Sequence, residues 1–211
     1  MKLLSAAAFM MWRPAAAPPV KDTRSTSRLA ASSAPTSAPP VSALISAAAR
    51  SADPPVWEIF RQGVEPILDD YDYVLVDCPP NLGVMTMSAL RISAGYVIPT
   101  IPDVLSTYGI SAVQREVKRF AKTAGIAEPE ALGTIITKNQ RGIGVHKGQL
   151  ARLKNDPDIP PLLYPPIPQS NQIAGSVEGD YRTLKSKYSR NNYDDLFDLA
   201  EAFRQRIEEG E

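Results

Sequence analysis

The sequence predicts an α/β protein built on a doubly wound, mostly parallel sheet. Three short runs rich in β-branched residues have the composition of buried parallel strands, namely Tyr73–Asp77, Tyr96–Ile101 and Leu132–Thr137. Between the second and third runs, Ser106–Ala124 carries one apolar stripe at helical spacing. Strands that alternate with amphipathic helices are typical of this class, because each helix returns the chain across the sheet.

The remaining elements follow the same alternation. Before the first strand, apolar residues at Val56, Ile59, Phe60, Val64 and Ile67 predict a helix. A fourth strand is expected at Leu162–Tyr164, ended by two prolines. Helical spacing predicts two buried faces, one on the 106–124 helix and one on the last helix: Ile110, Val113, Val117, Phe120 and Ala121, then Tyr193, Leu196, Phe197, Ala200, Phe203 and Ile207.

Residues 1–52 differ in composition from the rest of the chain. Ala, Ser and Pro dominate from Ser5 to Ala49, and such small side chains bury too little apolar surface to offset the ordering of the chain. We therefore expect residues 1–52 to be a disordered tail, with a short helix near Val41–Arg50, and residues 53–211 to form the α/β domain. A secretory signal, an organellar transit peptide and a shifted reading frame or upstream start remain alternatives for this segment.

Composition excludes several classes of protein. The single Cys rules out a disulfide framework and a Cys-based metal cluster, and the single His rules out a His-rich metal site. No apolar run reaches the length of a membrane-spanning helix. The 23 basic and 23 acidic residues give no net attraction to nucleic acid, although residues 1–52 hold six basic residues and only one acid, so the remainder is mildly acidic.

Ligands of open α/β sheets bind at the carboxyl ends of the strands, so the residues after each apolar run are the candidate site. Asp77, at the tip of the first predicted strand, would be costly to ionise without a partner. It is either a carboxylate that holds a magnesium shell or the cap of the next helix. Cys78 beside it is interpreted as a small buried hydrophobe rather than a nucleophile, because no His is near in sequence.

A longer string identifies the family that this chain resembles. Residues 71–83 read YDYVLVDCPPNLG, and Ser88-Ala89-Leu90, Val97-Ile98-Pro99 and Tyr108-Gly109-Ile110 follow. Together they closely resemble the ParA/MinD family of deviant-Walker ATPases, and most of all the ParA branch, which partitions plasmids and chromosomes. The resemblance runs from about Pro55 to the C-terminus and implies a P-loop NTPase-like sheet.

The resemblance also implies site residues and cofactors. The family binds ATP and magnesium, so Asp77 would be the Walker B carboxylate that holds magnesium through water and serves catalysis. Cys78, Pro79, Pro80 and Gly83 would belong to the switch that senses the γ-phosphate. Two later strand ends would contact the base of the nucleotide, through Thr137, Asn139, Pro168 and Gln169.

One essential part of the family is missing from the sequence. A phosphate-binding loop needs Gly-rich backbone and a Lys, yet the first Gly is Gly63 and no Gly-Lys dipeptide occurs. The glycines at 142–148 fit a flexible connector better than a substitute loop, and His146 is interpreted as a solvated residue at a helix start. We therefore expect a chain that is incomplete at the N-terminal side of its sheet, with an empty central position, poor solubility or self-association, and no ATP turnover alone.

Three functions remain open at this stage. The first is a ParA-like partition protein, truncated and not catalytic alone, that binds a centromere-binding partner. Such a protein would also contact nonspecific DNA, through Arg141, Lys147, Arg152 and Lys154. Ordinary solvated charge is the alternative for these four. The second is a nonenzymatic interaction module derived from the same fold. The third is a cell-division or flagellar positioning relative, disfavoured because the acidic C-terminal end would be repelled by a membrane surface. The expected location is cytoplasmic, with association with the nucleoid, and no membrane partner is expected.

Overall fold

The computed structural model describes residues 9–12, 56–68, 70–79, 81–177, 179 and 181–209. Within these ranges five strands form one sheet in the order β2-β1-β3-β4-β5. The strands are β1 (Phe9–Trp12), β2 (Val74–Asp77), β3 (Gly95–Thr100), β4 (Glu130–Ile136) and β5 (Leu162–Leu163). The helices are α1 (Val56–Leu68), α2 (Val84–Ile92), α3 (Val104–Ala124), α4 (Gly144–Lys154), α5 (Asn171–Gly175), α6 (Leu184–Tyr188) and α7 (Arg190–Glu209).

Four of the five strands point the same way. β3 pairs with β4, and β4 with β5, in parallel, whereas β1 is antiparallel to both of its neighbours, β2 and β3. Phe9 lies opposite Asp77 and Val97, and Trp12 lies opposite Val74. The predicted α/β class with a mostly parallel sheet is therefore confirmed.

The expectation of an empty central position in the sheet is wrong. β1 lies between β2 and β3, and it comes from the 1–52 segment, so these four residues depart from the expected disordered tail. The physical reason is that a gap would leave the N–H and C=O groups of both neighbours unpaired, and any extended segment within reach can pair with them in either direction. The rest of the 1–52 segment, including the expected helix at Val41–Arg50, lies outside the described residues.

Two apolar cores lie on opposite faces of the sheet, as a doubly wound arrangement requires. One face packs against α2, α3 and α4, with Leu90, Ile98 and Ile110 at its centre. The other face, which includes Val97, packs against α7 through Leu199 and Ile207. Ile98 and Val97 contribute to different cores because successive side chains of a strand alternate between faces.

The predicted helix face is correct for α3 and partly wrong for α7. On α7, the prediction wrongly included Phe197 and Ala200 and missed the buried Leu199. Phe197 is exposed and stacks on Tyr193, with 6.2 Å between ring centroids, because Leu196, Leu199, Phe203 and Ile207 face the sheet instead. On α1, Ile59 and Ile67 are exposed, since α1 packs inward through Val56, Phe60 and Leu68.

Two glycines permit close packing within the sheet. A Cβ added at Gly95 would lie 2.7 Å from Leu132 Cγ, and one added at Gly133 would lie 2.7 Å from Leu163 Cγ and 3.0 Å from the backbone oxygen of Pro161. Real Cβ atoms do not approach other atoms so closely. The strand connecting to the candidate site therefore depends on the absence of a side chain at position 133.

Gly133→Ala is expected to destabilise the protein by about 1–3 kcal/mol, because the backbone of Pro161 cannot yield as a flexible side chain would. The matched control is Gly148→Ala in the interior of α4, where nothing lies within 4 Å of the new methyl group. That control should stabilise by about 0.5–1 kcal/mol, the usual gain from replacing a helical glycine. Urea unfolding measures both changes, and a Gly133→Ala variant as stable as the parent would contradict the packing described.

Candidate functional site

The turn after β2 holds the first group of predicted site residues. Asp77 is the last residue of β2 and is exposed, whereas Cys78 is buried. The Asn81 side-chain oxygen accepts a hydrogen bond from Gly83 N at 3.0 Å, and Thr86 Oγ1 donates to Asn81 O at 2.7 Å. A Cβ at Gly83 would lie 2.8 Å from the Asn81 Oδ1 atom, so a side chain at this position would displace the Asn81 amide. Pro79 is exposed, and Pro80 lies outside the described residues.

The environment of Cys78 makes it an inert thiol. Burial and the neighbouring Asp77 carboxylate raise the pKa of Cys78 to about 11, and a hydrogen bond with Thr86 offsets this only in part. A thiol with a raised pKa is protonated at neutral pH and is a poor nucleophile. Cys78 lies buried in the apolar core, as expected of a small hydrophobe, and its role stays a prediction.

A second group of predicted residues meets where β4 and β5 end. Asn139 and Pro168 form a parallel β-bridge, in which Asn139 N donates to Ile167 O at 2.9 Å and Gln169 N donates to Asn139 O at 3.1 Å. Thr137 N donates to Thr100 O at 2.8 Å, which ties this group to the end of β3. The structure thus brings Thr137, Asn139, Pro168 and Gln169 together.

This second group contains an acceptor without a partner. The side-chain oxygen of Asn139 is buried, and it makes no hydrogen bond within the described part of the chain. Lys138 next to it adopts a left-handed backbone conformation with φ 51°, which is uncommon for a residue with a side chain. An unpaired buried acceptor costs free energy that a ligand N–H group would recover. This chemistry suits the amino group of a base, so the predicted base contact stays a prediction with a physical basis.

The two groups lie at distant strands of the same sheet. Three strand spacings separate β2 from β4, which is roughly 14 Å at the usual spacing. β1 and β3 lie between them, and a phosphate-binding loop would have to follow a strand at this carboxyl edge. β1 runs the other way, so its carboxyl end, at Trp12, lies at the opposite edge of the sheet.

The described residues therefore do not fit the triphosphate of ATP. No Gly-Lys dipeptide exists in the sequence, and among the residues that the structure describes none forms a glycine-rich loop after a central strand. Nor does that part of the chain contain a group of three or more His, Cys, Asp or Glu side chains placed to hold a metal ion. The predicted role of Asp77 in holding magnesium through water stays a prediction.

The four residues predicted to contact DNA have different surroundings. Arg141 forms an ion pair with Asp195 at 3.5 Å, and the Arg152 guanidinium lies 5.0 Å from the centre of the Tyr108 ring. Lys147 and Lys154 are exposed on α4. Arg141 and Arg152 thus already interact with other residues of the chain, whereas Lys147 and Lys154 are exposed to solvent.

Sequence reasoning missed two features of this edge. His146 Nδ1 accepts a hydrogen bond from Gln140 N at 3.1 Å, so this half-buried histidine fixes the loop before α4 instead of being merely solvated. Exposed apolar side chains also surround the starts of three successive helices, and we call this set the apolar rim: Met85, Val104, Leu105, Tyr108, Ile143 and Val145. The sequence signal for the rim was apolar residues that lie off the buried stripe of each helix.

Comparison with known proteins agrees with the resemblance in the motifs. A family model described as "AAA domain" matches residues 42–128, beginning eleven residues before the expected domain start at residue 53. An uncharacterised protein of Pseudomonas putida is 32% identical over 115 residues, which cover 54% of this chain and 43% of that protein. The chromosome partitioning protein ParA of Myxococcus xanthus is 35% identical over 51 residues, covering 24% of this chain and 18% of that one.

Over part of its length, the chain is similar to proteins of the ParA/MinD type. It spans less than half the length of the Pseudomonas putida relative. The crystal structure of the cell division ATPase MinD from Pyrococcus furiosus aligns with 67% of this chain and 55% of that chain, at 22% identity and a TM-score of 0.48. Across the described residues, every helix is too short or too polar to span a membrane.

The buried thiol yields a direct prediction. Cys78 is the only cysteine, so a thiol reagent such as DTNB reports on it alone, and at pH 8 the native chain should react far more slowly than the urea-unfolded chain. Thr86→Val removes the hydroxyl that holds Asn81 O and should speed labelling by about fivefold, the effect of losing about 1 kcal/mol of local stability.

The same thiol sets a pH dependence of stability. Because the folded-state pKa is raised from 9.0 to about 11, its contribution is complete below pH 9 and is lost as the pH rises toward 11. Cys78→Ala should flatten the stability profile in that window. Rapid labelling of the native chain, or an unchanged profile in the variant, would contradict the buried placement of Cys78.

Proposed function

We propose that the chain is a partition-type protein of the ParA/MinD family that does not hydrolyse ATP by itself and acts through association with partners. The observation that carries this proposal is the direction of β1, which pairs antiparallel with both β2 and β3. A strand in this direction cannot deliver a phosphate-binding loop to the carboxyl edge where Asp77 lies. Partition of chromosomes is the role that similarity to the chromosome partitioning protein ParA of Myxococcus xanthus supports.

The partners in this proposal are those that a partition protein needs. A centromere-binding protein would meet the ordered turn after β2, and nonspecific DNA would meet exposed cations such as Lys147 and Lys154. DNA binding of this kind depends on counterion release, so it needs exposed positive charge rather than base contacts. The association step does not require the chain to hold a triphosphate.

The proposal predicts no magnesium-dependent ATPase activity above the buffer rate, with or without duplex DNA. Asp77→Ala should leave this background unchanged, because magnesium has no phosphates to bridge to Asp77. Phosphate release measured with excess ATP and Mg²⁺ tests this, with a known ParA ATPase as positive control. Turnover that Asp77→Ala abolishes would overturn the proposal.

The apolar rim favours a second candidate, a nonenzymatic interaction module. Leu105 is 74% exposed and Tyr108 is 62% exposed, both in the first two turns of α3, and large exposed apolar patches usually mark interaction surfaces. An association of this kind would need neither nucleotide nor DNA. It would place the protein among binding modules rather than partition proteins.

Self-association through the rim is the expected outcome that separates this candidate from the first. The chain should form dimers or larger species without nucleotide, and Leu105→Lys should shift it toward the monomer because a charge replaces exposed apolar surface. Leu184→Lys, at a residue 58% exposed on α6, is the matched control and should leave the distribution unchanged. Light scattering after size-exclusion chromatography gives the masses, and a monomeric parent chain would remove the second candidate.

A further inference from the structure

The outer edge of β2 is the terminal edge of the described sheet. β2 pairs with β1 on one side, and on its other side no described strand lies beside Val74–Asp77. The outward N–H and C=O groups of such a strand form a template on which another extended segment can pair. Natural sheets usually protect such an edge with a lysine or a proline within the strand, and β2 has neither.

An exposed apolar side chain lies beside this open edge. Val76 packs against the core formed with α2 and α3, so Leu75 points to the opposite face of the sheet. On that face α7 packs on β4 and β5, at the far end of the sheet from β2. Leu75 is consequently 56% exposed, although it sits in the middle of a strand. A segment added to the edge could cover it.

The charge around this edge is of one sign. Between Arg61 and Arg91 the sequence contains no Lys, Arg or His but five acids, Glu65, Asp69, Asp70, Asp72 and Asp77. Arg61 is itself engaged, with hydrogen-bonded contacts to Glu58 at 2.6 Å and to Glu65 at 2.7 Å. Asp72 and Asp77 therefore flank the four residues Tyr73–Val76. The sequence between Arg61 and Arg91 contains no cation that could neutralise these two carboxylates.

The same charges disfavour a second copy at the edge. If two β2 strands paired antiparallel about a two-fold axis at Leu75, Asp77 of each copy would lie opposite Tyr73 of the other and therefore beside its Asp72. Each end of the pair would then gather one acid from each copy, and like charges close together destabilise a strand pair. A strand with basic residues at both ends and apolar or β-branched residues between them would instead match both the charges and Leu75.

We infer that the outer edge of β2 binds an extended segment of a partner protein that carries Lys or Arg at both ends of a short apolar run. The partner strand would hydrogen-bond to the backbone of Val74–Asp77, cover Leu75, and place its cations beside Asp72 and Asp77. This interaction goes beyond the proposed function, because it uses the outer edge of β2 rather than the turn after β2 or the apolar rim.

A synthetic peptide, acetyl-Arg-Lys-Val-Thr-Val-Lys-Arg-amide, is the probe, and fluorescence anisotropy of a labelled form measures its binding to the full chain. Saturable binding that weakens with rising salt is expected. A peptide with proline in place of the central threonine keeps the charge but loses a backbone donor, and it should bind at least about tenfold more weakly, since one or more strand hydrogen bonds are lost.

Two variants of the protein locate the binding site. Leu75→Lys places a cation on the edge and should lower affinity about tenfold or more, through lost apolar contact and added repulsion. The double variant Asp72→Asn, Asp77→Asn should lower it up to about fivefold for each ion pair removed. Leu184→Lys, on α6, adds the same charge elsewhere and should leave peptide binding unchanged.

Several results would overturn the inference. Absence of saturable binding by the full chain would do so, as would equal binding of the proline peptide or an equal loss in Leu75→Lys and Leu184→Lys. Dimers that Leu75→Lys dissociates would show that a second copy occupies this edge. Circular dichroism melting of each variant must match the parent, and Leu75→Gln serves as the neutral replacement if Leu75→Lys does not fold.

Discussion

The pairing of β1 between β2 and β3 is the constraint on which the rest of this structure depends. Without it the two strands that carry Asp77 and Thr100 would have no common neighbour, and their central backbone groups would be left unpaired. The pairing satisfies those groups, but it does so in the direction opposite to the other four strands. The central position can hold a strand that leads into a phosphate-binding loop only if that strand is parallel to its neighbours. In this chain the position holds the antiparallel β1.

As a consequence, the two ends of the carboxyl edge of the sheet hold ordered candidate site residues and its centre does not. At the β4 and β5 end, Asn139 and Gln169 are held by backbone hydrogen bonds, and a buried acceptor is ready for an N–H donor. At the β2 end, Gly83 N and Thr86 Oγ1 each donate a hydrogen bond to Asn81, and Asp77 beside this turn is exposed. Between these two ends, none of the described residues forms a loop that could hold phosphates. This combination supports the proposal that the chain associates with partners rather than hydrolysing ATP. The exposed Leu75 and Leu105 lie on two separate surfaces suited to association.

Much of the fold could be predicted from the sequence because its signals are local. Composition predicts the two buried β-branched strands that end near Asp77 and Thr137. The spacing of apolar residues predicts the buried stripe from Ile110 to Ala121. The strand at Phe9–Trp12 could not be predicted, because its reason lies in a gap between two strands more than sixty residues away. The exposed Phe197 was mispredicted for a related reason, since the sequence does not tell which side of an apolar helix faces the sheet. The meeting of Asn139 with Pro168 was predictable from family resemblance alone, and its unpaired oxygen was not.

The direction of β1 is tested most directly by disulfide cross-linking in a Cys78→Ala background. Antiparallel pairing places Trp12 opposite Val74, so Trp12→Cys with Val74→Cys should cross-link readily under mild oxidation. Trp12→Cys with Asp77→Cys should not, because three residues along a strand separate those positions by about 10 Å, beyond the reach of a disulfide. A parallel strand would reverse the two results. Efficient cross-linking of the Trp12 and Asp77 pair would thus contradict the account, and efficient cross-linking of the Trp12 and Val74 pair is the result it predicts.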